Sequence, residues 1–127
     1  MSKSIRRIVY IEDERDVIDM VKLILERENY RVIGASGGRE GLDTVRRVLP
    51  DVVLLDLMMP DMGGWDVYQQ LKADERTREI PVIIVTARAQ SIDKVLGLQI
   101  ARVDDYISKP FSPKDLIHSI EKVLQDH

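Results

Sequence analysis

The sequence predicts an α/β fold: a five-stranded parallel sheet with helices on both faces. Three observations carry that prediction. Short apolar runs alternate with amphipathic segments along the whole chain, giving five strand–helix units. The runs Ile8-Val9-Tyr10-Ile11, Val52-Val53-Leu54-Leu55 and Val82-Ile83-Ile84-Val85 are continuous, as strands buried on both faces require. The 127 residues contain no internal repeat, low-complexity stretch or linker, and their number suits one domain over residues 1–127.

The elements follow in order. Ile8 to Ile11 reads as the first strand. Residues 14–27 place Val17, Met20, Val21, Ile24 and Leu25 on one helical face. A weaker strand spans Tyr30 to Ile33. Leu42, Val45 and Leu49 form the stripe of a second helix, which Pro50 stops. Val52 to Leu55 is the third strand. Gly63-Gly64 breaks the chain before a helix carrying Val67, Tyr68 and Leu71. Pro81 opens the fourth strand, Val82 to Val85. Residues 91–100 read as a helix with Ile92, Val95 and Leu96 inward. Val103 to Ile107 is the last strand. Ser112-Pro113-Lys114-Asp115 reads as an N-cap, a proline at N1 and an acid at N3. Leu116, Ile117, Ile120, Val123 and Leu124 complete the final stripe. Right-handed crossovers leave few topologies, and the flavodoxin-like three-layer (βα)5 sandwich of strand order 2-1-3-4-5 is the expected one.

Composition excludes several function classes. The formal charge is −3, with no clustered Lys/Arg face, so binding of nucleic acid by this domain is not expected. Without cysteine there is neither a disulfide nor a thiolate metal site. No apolar run approaches the ~20 residues of a membrane span, and the N-terminus lacks the apolar core of a signal peptide. A cytoplasmic domain is expected.

In sheets of this kind, ligands bind beyond the carboxyl ends of the strands. Strand one ends in Glu12-Asp13, strand three in Asp56 and strand four in Thr86, and strand five runs through Tyr106 to Lys109-Pro110. Three carboxylates, a hydroxyl and an ammonium thus meet at one edge. Clustered carboxylates raise one another's pKa unless a cation relieves them. Mg²⁺ suits an oxygen-only site that keeps waters for a phosphate. Lys109 adds a point charge able to bind phosphate. A carboxylate flanked by a metal and a lysine is an acceptor for phosphoryl transfer, which depends on positioning and charge neutralisation.

Taken singly, each residue has a plainer reading. Asp13 could cap the first helix with Asp16 at N3, Glu12 could be a solvated strand end, and Asp56 could start a turn. Thr86 suits a strand, Tyr106 a half-buried core position, and Lys109 the surface. The order of all of them against the strand count is what argues for chemistry.

With those residues in place, the sequence resembles the response-regulator receiver family of two-component systems, of the chemotaxis-regulator-like kind, over essentially its whole length. The matching stretches are Ile8-Val9-Tyr10-Ile11-Glu12-Asp13-Glu14, Asp51-Val52-Val53-Leu54-Leu55-Asp56-Leu57-Met58-Met59-Pro60, Ile80-Pro81-Val82-Ile83-Ile84-Val85-Thr86-Ala87 and Asp104-Asp105-Tyr106-Ile107-Ser108-Lys109-Pro110-Phe111. The resemblance implies that Asp56 accepts a phosphoryl group from a sensor histidine kinase or phosphotransfer protein. It implies that Mg²⁺ is held by Asp13, Asp56 and the Met58 backbone carbonyl, with Glu12 helping through water. Thr86 and Lys109 would contact the phosphoryl oxygens, Tyr106 would be the aromatic switch, and the Lys109-Pro110 bond would be cis. The output would be a conformational change on the face formed by the fourth helix, fifth strand and fifth helix, where Leu98, Ile100, Lys114, His118 and Lys122 lie. A downstream protein or a second copy of the chain would read that face. Ser119 stands where dimerising members carry an arginine.

Other readings share the topology. A hydrolase passing through an aspartyl phosphate would need an acid two residues after the nucleophile, where Met58 stands. A non-switching scaffold would not need the full set Asp13, Asp56, Thr86 and Lys109. A cofactor binder would need a phosphate cradle after strand one, where Glu12-Asp13-Glu14 repels phosphate. No enzyme activity is expected beyond self-directed phosphoryl transfer and dephosphorylation.

Overall fold

Strand β1 (Arg6–Ile11) shows how the sheet is buried: Ile8 and Tyr10 enter one core, Val9 and Ile11 the other. The same alternation recurs in β3 (Val52–Leu55) and β4 (Val82–Thr86), whose apolar residues are almost wholly inaccessible. A sheet with two dry faces has to be covered on both sides, and the intervening segments supply the cover. Each large side chain buried this way contributes roughly 1.5–3 kcal/mol.

The structure, a computed structural model, describes residues 5–87 and 103–126. Besides these strands it contains α1 (Arg15–Glu26), β2 (Tyr30–Ala35), α2 (Gly38–Val48), α3 (Gly64–Ala73), β5 (Asp105–Ser108) and α4 (Pro113–Gln125). All strand pairs are parallel, in the order β2-β1-β3-β4-β5. This is the expected flavodoxin-like arrangement. α1 and α4 cover the Ile8–Tyr10 face, and α2 and α3 cover the Val9–Ile11 face. The helix expected over residues 91–100 lies outside the described residues, Leu98 and Ile100 with it.

Several boundaries and faces differ from the sequence reading. On α1 the buried residues are Ile18, Val21 and Leu25, whereas Met20 is 46% exposed. The stripe is thus rotated toward Ile18, whose side chain lies against Gly34 of β2. The N-cap of α1 is Glu14, with no side-chain cap bond, so Asp13 does not cap this helix. Leu49 is not part of the α2 stripe. It takes a left-handed conformation (φ 50°) as the helix ends before Pro50, and is 48% exposed. β2 runs on to Ala35, and β5 starts at Asp105 rather than Val103.

The caps fix the loops around the carboxyl edge. Ser112 Oγ accepts from the Asp115 N–H at 3.1 Å with Pro113 following it, as its sequence pattern indicates. α2 begins after Gly37, whose φ of 112° suits glycine and which offers no side-chain cap. Asp61 of the loop after β3 caps it instead, accepting from Gly38 N at 3.1 Å and Arg39 N at 3.3 Å. α3 starts at Gly64, where a Cβ would come within 2.5 Å of the Asp56 carbonyl and the Leu57 Cα.

Candidate functional site

The strand order reverses between β1 and β3, since β2 lies outside β1 while β4 and β5 continue from β3. The crevice at such a switch point opens at the carboxyl ends of the strands. Glu12 and Asp56 sit there on extensions of the backbone ladder. Glu12 N bonds to Ala35 O and Asp56 N to Ile11 O, each at 3.0 Å. The site is therefore anchored on the rigid sheet.

Glu12, Asp13 and Asp56 each offer a carboxylate oxygen, and those atoms all lie within 4.8 Å of one another. Glu12 and Asp56 are buried, and Asp13 is exposed at the mouth. Lys109 closes the group from β5's end: its Nζ lies 2.6 Å from Glu12 Oε1 and 3.6 Å from Asp56 Oδ2. The Lys109–Pro110 peptide is cis. Thr86 is buried at the end of β4, and its carbonyl accepts from Lys109 N at 3.1 Å. Met58 N–H donates to Asp56 Oδ1 at 3.1 Å, while the Met58 side chain is 56% exposed. Tyr106 stands opposite Ile84 in β5, half-buried against the core on the α2–α3 face.

Electrostatics separate the two buried acids. Burial pushes Asp56 up to about 6; the Glu12 charge adds to the rise, and the Met58 N–H and Lys109 moderate it. Burial works to raise Glu12 as well, but hydrogen bonds from Lys109, Tyr10 and the Glu14 N–H outweigh it and hold the carboxyl below its ordinary value. For Lys109, burial favours the neutral form, yet Glu12 and Asp56 prevail and its pKa is raised. The result is a paired Glu12–Lys109 beside an Asp56 that is short of compensating charge. Three hard carboxylate oxygens with one open side fit a divalent cation with water ligands.

Sequence reasoning missed one participant. Tyr10 is inaccessible to solvent, and its hydroxyl donates to Glu12 Oε1 at 2.8 Å. Burial, then the Glu12 charge, raise its pKa. Its signal was available: a tyrosine in a doubly buried strand needs a partner for its O–H, and the residue two positions on shares its face.

This parallel sheet, with acids and a lysine gathered at its carboxyl edge, is a doubly wound domain of the flavodoxin-like class. A family model described as the response regulator receiver domain matches residues 8–121, and the chain belongs to that family. Solved structures agree. A CheY-like response regulator receiver domain protein from Methanospirillum hungatei JF-1 is 32% identical, with a TM-score of 0.87 over 97% of this chain and 96% of that one. A sensor protein from Polaromonas sp. JS666 is 26% identical, with a TM-score of 0.89 over 95% and 97% of the two chains. A chemotaxis response regulator of Vibrio cholerae, 23% identical with a TM-score of 0.86 over 94% and 99%, shares the fold. The chain is thus a receiver domain of two-component response regulators. Among the described residues, no helix is long and apolar enough to cross a membrane.

Proposed function

We propose that this receiver domain is a phosphorylation switch in which Asp56 takes a phosphoryl group from the phosphohistidine of a sensor kinase or phosphotransfer protein. An Asp56 carboxylate oxygen attacks phosphorus, the P–N bond breaks, and the departing imidazole keeps the electron pair and gains a proton. Asp13, Asp56 and the Met58 backbone carbonyl would hold Mg²⁺, with Glu12 acting through water. Bound Mg²⁺ supplies charge neutralisation on the phosphoryl oxygens. Lys109, whose Nζ lies 3.6 Å from Asp56 Oδ2, shifts toward the new anionic group, and Thr86 donates its hydroxyl there. The observation that carries this reading is the convergence of three carboxylates within 4.8 Å with Lys109 against two of them.

The output is a population shift in which Thr86 is drawn inward, Tyr106 follows, and the surface around β5 and the last helix changes. A downstream protein or a second copy of the chain reads it. The domain works in the cytoplasm without membrane or nucleic acid contact. It turns over nothing but its own phosphoryl group, since the apolar Met58 offers no general acid or base. Acetyl phosphate with Mg²⁺ tests this: intact-mass measurement should show one added phosphoryl group in the wild type and none in Asp56→Asn. Equal gain in both sinks the assignment.

A further inference from the structure

Glu12 has no accessible surface, and both its oxygens are met by donors within the protein. Oε2 accepts from the Glu14 N–H at 3.2 Å. Oε1 accepts from two side chains, Lys109 Nζ at 2.6 Å and the Tyr10 hydroxyl at 2.8 Å. These two donors differ in mobility. Tyr10 lies within β1, paired with Leu54 and Gly34 on either side and packed in the core with Ile8 and Leu54. Lys109 stands at the end of β5 on a long side chain that retains some exposure. When a phosphoryl group forms on Asp56, whose Oδ2 lies 3.6 Å from Lys109 Nζ, a shift of the ammonium toward it draws it off Glu12 Oε1. Leaving a buried carboxylate oxygen without a donor is costly, and more so for a charged acceptor.

We propose that Tyr10 is a positioning residue for phosphoryl capture: it keeps Glu12 Oε1 bonded when Lys109 departs, and so makes Lys109 available to the group on Asp56. This rests on the acceptor reading of Asp56. Tyr10 touches neither the acceptor nor the phosphoryl group; it acts through the oxygen it shares with Lys109. A tyrosine that only stabilised the core would lower the melting temperature without distinguishing one ligand from another.

The test uses the phosphoryl mimic beryllofluoride with Mg²⁺, titrated by calorimetry. Tyr10→Phe preserves ring and volume. It should bind beryllofluoride about tenfold more weakly than wild type, while its affinity for Mg²⁺ alone changes less than about twofold. In a Glu12→Gln background, where Lys109 is no longer held by charge, Tyr10→Phe should change beryllofluoride affinity by less than about twofold. NMR of the wild type gives a measure free of substitution: the Tyr10 hydroxyl proton should stay protected from exchange after beryllofluoride binds, while the Lys109 side-chain signal shifts. Equal beryllofluoride affinity in wild type and Tyr10→Phe overturns the proposal, as does an undiminished loss in the Glu12→Gln background or deprotection of the hydroxyl. Wild type that takes up no beryllofluoride overturns the acceptor reading and this role with it.

Discussion

Asp56 is placed where ionisation is costly, and its stability linkage follows. Its pKa lies above the ordinary 3.8, at about 6, chiefly because it is buried. The folded state therefore binds a proton more tightly than the unfolded chain does. The contribution of that proton to stability is complete below 3.8 and is lost as pH rises through about 6. At pH 8 without metal, Asp56→Asn should be more stable than wild type, by up to roughly 3 kcal/mol. Thermal melts across pH should show the gain vanish in acid. A gain independent of pH would mean that the charge on Asp56 is not its source. Met58 sets a second expectation. Its exposed side chain cannot orient a water beside Asp56, so Met58→Asn should hasten loss of the phosphoryl group several-fold, as followed by phosphate release; an unchanged lifetime would remove water orientation from the account. At this scale the acids and Lys109 were legible, because each ends a strand and strand ends share an edge. The Glu12–Tyr10 bond was not, because a tyrosine in an apolar run reads as core until its hydroxyl is asked for a partner.

The elements show where pattern reading reaches its limit. Strands with two buried faces were visible as unbroken apolar runs, and the last helix was visible from its cap. Ser112→Ala should cost about 1 kcal/mol, the usual value of a lost N-cap, in denaturant unfolding. The α1 face was misjudged because Met20 and Ile18 are both apolar, and only packing against Gly34 decides between them. Asp61 capping α2 from 23 residues away leaves no local pattern at all. α3 meets the site through Gly64, whose Cα faces the Asp56 carbonyl and Leu57 Cα. Gly64→Ala should destabilise by more than 1 kcal/mol and weaken Mg²⁺ binding together, because the added methyl meets backbone that holds Asp56. A variant with normal stability and metal affinity would show that this approach does not position the acceptor.

For the whole molecule, topology does the assembling: the order β2-β1-β3-β4-β5 brings residues 12, 56 and 109 together although long stretches of chain separate them. Strand order was predictable from five alternating units and the handedness of crossovers, and with it the position of the site. The Glu12–Lys109 pairing was not, since contact between side chains depends on which of two acids compensates the lysine. Divalent metal bound at this edge should stabilise the fold by mass action. Millimolar Mg²⁺ should raise the melting temperature of wild type and leave Asp13→Asn nearly unchanged, whereas equal shifts would place the ion elsewhere. Chemical mapping of the acceptor examines the role of Asp56 most directly. Protein phosphorylated with acetyl phosphate and Mg²⁺ is reduced with borohydride, which converts an aspartyl phosphate to homoserine, and its peptides are sequenced by mass spectrometry. Homoserine is expected at position 56 and at no other aspartate. Homoserine at Asp13 or elsewhere, or a phosphorylated protein that yields none, would contradict it.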